Sequence, residues 1–230
     1  MSLKQKLLAH QIYLILATLF ITALVVSNLI FQKFFSWNPF GLYNFELSVG
    51  ILPYPITFLI TDIISEIYGR KKANKVVIAG IFASVFALII IMVADGAPAT
   101  QWSPVGDDMY HKVFGFSAIA VFSSMMAYLL AQFIDIRIYH FWKKLTKGKH
   151  LWLRNNFSTM MSQFLDTFTV LLLLCLFKVI EWDLFGKLLI NGYLFKVIVA
   201  LCDTPFIYAA VYYFRKKFNL KVGEEVVFID

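Results

Sequence analysis

Apolar residues along this chain fall into long blocks, not into the short alternations that mark a soluble core. Six blocks, at 12–31, 47–68, 76–94, 113–134, 157–177 and 193–214, are each long enough to cross a hydrocarbon core, which takes ~20 apolar residues per helix. Short polar connections separate them. The pattern predicts an all-α polytopic membrane protein with six transmembrane helices, forming a single domain over 1–230. Lys4 and Lys6 precede the first block, but that block is long and no small-residue cleavage site follows it, so it reads as a spanning helix and not as a secretory signal.

Composition strengthens this picture: 60% of the residues are hydrophobic and 15% charged. A net charge of +7 would suggest a nucleic-acid partner if it formed one patch. It does not. Of the 21 lysines and arginines, all but Lys33, Lys112, Lys178, Lys187 and Lys196 sit at the N-terminus, in the loops at 69–75 and 135–156, or in the tail. That alternation follows the positive-inside rule and predicts both termini and those two loops in the cytoplasm, with the chain a multi-pass protein of the inner (plasma) membrane. Basicity here encodes topology, and nucleic acid drops out as a partner. Cys175 and Cys202 both lie within predicted spans and read as small packing residues.

Small residues mark where helices approach closely in lipid. Ala79, Ala83 and Ala87, with Gly80 and Ser84 beside them, predict such a face on the third span; Ala120, Ser124, Ala127 and Ala131 predict one on the fourth. A homodimer through these faces is an arrangement the pattern permits. Pro53 and Pro55 open the second span, and Pro205 interrupts the sixth, freeing the Leu201 carbonyl from its helical partner.

Ionisable residues inside the spans carry the functional signal. Asp62, Asp166, Lys196 and Asp203 lie well within them, while Glu66 and Asp135 stand near predicted cytoplasmic ends. Four ionised side chains facing lipid would cost roughly 10 to 14 kcal/mol, comparable with the ~5 to 15 kcal/mol that holds a whole domain together. They must therefore pair, line a wet cavity or take up a proton. Their neighbours point to a cavity. Thr159, Ser162, Gln163, Asp166 and Thr169 share one helical face, as do Thr57, Thr61, Asp62, Ser65 and Glu66. Ser117, Ser124, Tyr128, Gln132 and Asp135 run along the fourth span, and Ser27 with Asn28 marks the first. Polar stripes on so many helices predict a shared pocket. Lys196 and Asp203, two turns apart on one face, are expected to pair.

The absences matter too. His10, His111, His140 and His150 all lie outside the predicted spans, so no metal site or histidine relay is expected in the bilayer. Neither a G-x-S-x-G elbow, an H-E-x-x-H helix nor a P-loop occurs, and no cofactor is implied. An intramembrane enzyme using Asp62 and Asp166 as paired acids is the alternative from another class, though its loops lack a phosphate or metal cradle.

Several ordered strings now stand together: Ser27-Asn28, PITFLITDIISEIYG from Pro55 to Gly69, AYLLAQFID from Ala127 to Asp135, RNNFSTMMSQFLDT from Arg154 to Thr167, then Lys196 and Asp203-Thr204-Pro205 with Tyr208. In this set the chain resembles the queuosine-precursor transporters, also called the vitamin-uptake-transporter family. The resemblance implies a six-helix inner-membrane importer of 7-deazaguanine bases, chiefly the cyano-deazaguanine precursor of queuosine. It also brings Asn156 and Ser158 into the candidate substrate-binding set with Asn28, Asp62, Glu66, Gln132, Gln163, Asp166, Lys196 and Asp203. Such a ligand suits these side chains. A guanine-like edge offers a ring N–H beside an amino group, which a carboxylate such as Asp166 or Asp62 accepts as a charge-assisted pair. Amides such as Asn28, Gln132 and Gln163 can serve the carbonyl and ring nitrogens, and Tyr54, Phe58 or Phe164 could stack on the ring. Proton coupling and facilitated diffusion are both compatible with such a pocket. So does a rival architecture, the substrate-binding subunit of an energy-coupling-factor transporter.

Overall fold

In the computed structural model the described backbone covers residues 3–145, 151–221 and 224–226; the side chains at 40, 132, 133, 135–137, 139, 140, 142–144 and 151–159 are outside the description. Among the described residues seven helices and one hairpin follow in order: α1 (Leu3–Leu29), β1 (Phe34–Trp37), β2 (Phe45–Ser48), α2 (Tyr54–Tyr68), α3 (Arg70–Asp95), α4 (Asp107–Phe114), α5 (Ser117–Leu145), α6 (Leu151–Leu176) and α7 (Trp182–Phe218). Among the described residues five stretches are long and apolar enough to cross a membrane: Leu3–Leu29, Val49–Tyr68, Arg70–Asp95, Asp107–Ala131 and Trp182–Phe218; a shorter apolar helix, Met160–Leu176, accompanies them. The protein is thus a polytopic, predominantly helical membrane protein. Large apolar side chains such as Phe82, Phe86, Val93 and Phe206 stand exposed on its outside, as a lipid-facing surface requires.

Helix α2 organises the interior. Ile60, Ile63, Ile64 and Ile67 recur at steps of three and four, so they form one stripe that is buried against α1, α3 and the end of α7 through Phe20, Val76, Val77 and Phe218. The turn of α2 carrying Thr57, Thr61, Asp62 and Ser65 is left to face the cavity described below. The third-span packing face is the Gly80 and Ser84 edge of the one expected, not its alanine row. Ala79 is exposed, while Gly80 and Ser84 are buried, and a Cβ at Gly80 would come 2.9 Å from Leu24 on α1. The close approach is set by the residue a partner helix meets, and the alanine spacing alone could not say which stripe that was.

The connection predicted as a loop between the first two spans is a β-hairpin. Its strands pair antiparallel, with Phe34 opposite Ser48 and Trp37 opposite Phe45. Phe45 and Leu47 point inward and pack on Phe195 of α7. Residue 47 therefore belongs to a strand, and the helical span opens only at Tyr54, after a single 3₁₀ turn at Val49–Ile51. The base of the hairpin is clamped to α1: Ser27 Oγ donates to the Gly50 carbonyl and Ser48 Oγ to the Phe31 carbonyl. Gly50 is needed there, because a Cβ would lie 2.7 Å from the Ser27 carbonyl oxygen.

Helix α7 also exceeds its predicted span. Its 37 residues correspond to about 55 Å of helix, against ~30 Å of hydrocarbon. Hydropathy marks only the apolar middle; both ends continue into polar surroundings. Asn219 closes the helix in the left-handed region and returns its amide to the Arg215 carbonyl. Beyond it the chain folds back, and the Val226 amide donates to the Ile67 carbonyl at 2.8 Å.

Candidate functional site

A cavity of about 710 Å³ runs between α1, α2, α5, α6 and α7, with the hairpin at one end. Its polar wall comes largely from the stripes read from the sequence, except that Thr167 lines it and the expected Thr169 and Ser117 do not. Ser27 and Asn28 come from α1; Thr57, Thr61, Asp62, Ser65 and Glu66 from α2; Ser124 and Tyr128 from α5; Ser162, Gln163, Asp166 and Thr167 from α6; Lys196 from α7. Asp62 and Asp166, far apart in sequence, thus open on one chamber.

The centre of the site is Asp166. Its Oδ2 accepts from the Tyr54 hydroxyl at 2.5 Å and from the Lys196 ammonium at 2.7 Å. Both bonds fall on that one oxygen. Lys196 lies 4.0 Å above the centroid of the Tyr54 ring, adding a cation–π contact to the ion pair. Burial is nearly complete, with side-chain exposures of 9% for Asp166 and 8% for Lys196. One turn earlier on α6, Gln163 is 4% exposed, and its Oε1 is buried without a partner. A buried acceptor left empty is costly, so Gln163 Oε1, with the Asp166 carboxylate on the same helical face, suits a ligand with adjacent N–H donors.

The expected partner of Lys196 was Asp203, and the structure corrects this. Two residues seven apart lie on the same face, but about 10 Å apart along the axis, which is too far for a lysine reaching across to α6. Asp203 does not line the central cavity. It faces a small side cleft between α2 and α7, of about 40 Å³, shared with Tyr54, Phe58, Asp62, Lys196 and Thr204. Glu66 lines the cavity, yet its carboxylate is engaged by Arg215 Nη2 at the far end of α7. Asn28 is buried on the cavity wall. Candidates Gln132, Asn156 and Ser158 have side chains outside the described residues. Of the aromatics, Tyr54 and Phe58 line the cavity with ring centroids 4.6 Å apart, whereas Phe164 packs against Tyr193 and Phe168 outside it.

Tyr54 as a hydroxyl donor to the central acid was not legible beforehand, since that role depends on a contact across 112 residues. Among the described residues no cluster of His, Cys, Asp or Glu could hold a metal ion.

Comparison with known proteins agrees with this architecture. Residues 48–210 match the family described as "Putative vitamin uptake transporter". The chain is 30% identical over 172 residues, 74% of its length and 73% of the relative's, to the "Probable queuosine precursor transporter" of Bacillus subtilis (strain 168). It is 25% identical over 171 residues, 71% of its length and 72% of the relative's, to the "Queuosine precursor transporter" of Escherichia coli (strain K12). No solved structure matches it. Over most of its length, including every helix that builds the Tyr54–Asp166–Lys196 centre, the chain belongs to the vitamin uptake transporter family, that of the queuosine precursor transporters.

Proposed function

We propose that this protein imports queuosine precursors, 7-deazaguanine bases such as 7-cyano-7-deazaguanine, across the inner membrane. The observation that carries the reading is the buried, unpartnered Gln163 Oε1 one turn from the Asp166 carboxylate, on one face of α6 inside a polar chamber. A guanine-like edge presents its ring N–H and amino group side by side to such a pair. The Tyr54 and Phe58 rings at the cavity wall supply a surface on which a planar base stacks for ~1 to 3 kcal/mol. Asn28 belongs to the same polar wall, with Asp62 and Glu66 toward the far end, and Gln132, Asn156 and Ser158 are included in the proposal as further contacts to the base. The names of the relatives in Bacillus and Escherichia support this ligand class.

The import unit in this reading is the whole chain, one domain with six spans, counting α6 as the sixth. The cationic end that carries Arg70, Lys71, Lys72 and Arg215 to Lys217 faces the cytoplasm, with both termini on that side. Carboxylates in a membrane chamber suit coupling to a proton gradient, which we include in the proposal. The test is uptake of labelled cyano-deazaguanine into proteoliposomes holding this chain alone. Uptake that rises with an inward proton gradient and vanishes in Asp166→Asn is the expected result. Uptake only in the presence of partner ATPases would assign the chain to an energy-coupling-factor assembly, and a chemically altered base after incubation would point to an enzyme. Equal uptake with and without the gradient would leave facilitated diffusion.

A further inference from the structure

Helix α7 supplies the cation of three ion pairs placed in order along one cavity. Near its start Lys187 Nζ meets Glu46 Oε1 of the hairpin at 2.6 Å; Lys196 holds Asp166 at the centre; near its end Arg215 holds Glu66. Lys187 and Arg215 are separated by about 42 Å of helix axis, more than the ~30 Å hydrocarbon thickness. The outer two pairs therefore stand at opposite membrane faces. Both of their acids, Glu46 and Glu66, line the cavity whose middle is Asp166.

The two ends are built alike. At the hairpin end, Lys187, Asn191 and Phe195 follow at steps of four, so one face of α7 receives the hairpin. The Tyr43 hydroxyl donates to Asn191 Oδ1 at 2.7 Å, and Phe45 packs beside Phe195. The next residue on α7 is Lys196, so the seat of the hairpin and the central pair share one turn. At the other end Arg215 uses only Nη2 on Glu66, its Nε being buried without a partner. Glu66 lies on the same short helix as Tyr54. Movement of either end is thereby transmitted to the centre through α2 or α7.

Exposure separates the end pairs from the middle one. Side-chain exposures are 51% and 36% for Lys187 and Glu46, and 15% and 41% for Arg215 and Glu66. Water thus reaches both members of the hairpin pair and the Glu66 carboxylate of the other, and ion pairs so reached contribute little to stability, which is poor design for a strut and good design for a gate. We propose that Glu46–Lys187 and Glu66–Arg215 are the two gates of the cavity, opened in turn while the central pair holds the site, with the hairpin as the moving part at its own end. This rests on the import reading for its purpose, though its geometry can be tested without any ligand.

The test uses the full chain in proteoliposomes with Cys175 and Cys202 replaced by alanine, and Ser124→Cys as a reporter inside the cavity. Two further variants add either Glu46→Cys with Lys187→Cys or Glu66→Cys with Arg215→Cys. Under reduction the reporter is expected to react with a membrane-impermeant thiol reagent from both faces. Bridging the hairpin pair with one equivalent of a reducible bifunctional methanethiosulfonate linker, long enough to replace the two side chains, should leave the reporter reactive only from the Arg215 face, and bridging the other pair only from the hairpin face. Base uptake should stop in each cross-linked variant and return on reduction. Reporter labelling from both faces after cross-linking, or full uptake through a locked pair, would overturn the proposal. One-sided labelling in a protein that takes up no base under any condition would uphold the gates and refute the import reading instead.

Discussion

The three ion pairs on α7 share one chemistry and differ in where water can reach them. Asp166 and Lys196 are almost wholly enclosed, whereas Glu46, Lys187 and Glu66 keep substantial exposure and Arg215, the least exposed of the four, still keeps more than the central pair. Burial makes a pair intolerant of losing one member, because the remaining charge has neither partner nor solvent; removal of one typically costs 3–5 kcal/mol, about the scale of a core truncation. An exposed pair loses only ~0–1 kcal/mol. The centre is therefore committed to a fixed geometry and the ends are free to open, which is the division of labour that a carrier needs.

The strongest way to break this contrast is Asp166→Asn. It strands the Lys196 ammonium, so the folded protein should lose about 3–5 kcal/mol in detergent unfolding curves, and uptake should vanish. Adding Lys196→Met removes the stranded charge and is expected to recover most of that stability without recovering uptake. Recovery of both would mean that the pair is only structural. Tyr54→Phe sharpens the same point by deleting one donor to Oδ2; a hydrogen bond to a charged group is worth about 1.5–3 kcal/mol, and base affinity measured by calorimetry should fall while the Asp166–Lys196 pair persists. At the hairpin end stability comes from packing instead. Gly50→Ala drives a methyl to 2.7 Å from the Ser27 carbonyl oxygen, and overpacking of that kind costs about 1–3 kcal/mol in the unfolding midpoint. Lys187→Gln is the smallest perturbation, with a stability change under about 1 kcal/mol; its effect belongs in the uptake rate. A large loss of stability there would make the hairpin pair a strut.

Sequence made the chamber legible and left its wiring hidden, for a physical reason. Polar stripes are periodic, so Thr57, Thr61, Asp62 and Ser65, or Ser162, Gln163 and Asp166, announce a shared face because lipid penalises each of them. Which groups bond across the chamber depends on helix placement. Lys196 has Asp203 on its own helix and Asp166 on another, and periodicity favoured the local partner; only the positions of α6 and α7 select Asp166. The hairpin was hidden for another cause. Each strand has four residues, β1 is largely exposed, and the inward alternation of Phe45 and Leu47 is too short to outweigh the apolar run that follows. Asp203, which shares a face with Lys196, turned out to serve a side cleft and not the chamber.

Calorimetric titration of 7-cyano-7-deazaguanine into purified wild-type protein and into the Asp166→Asn, Lys196→Met double variant tests the central claim most directly. Saturable binding by the wild type and none by a double variant that unfolds at a comparable temperature is the expected result. Equal binding by the two would contradict it.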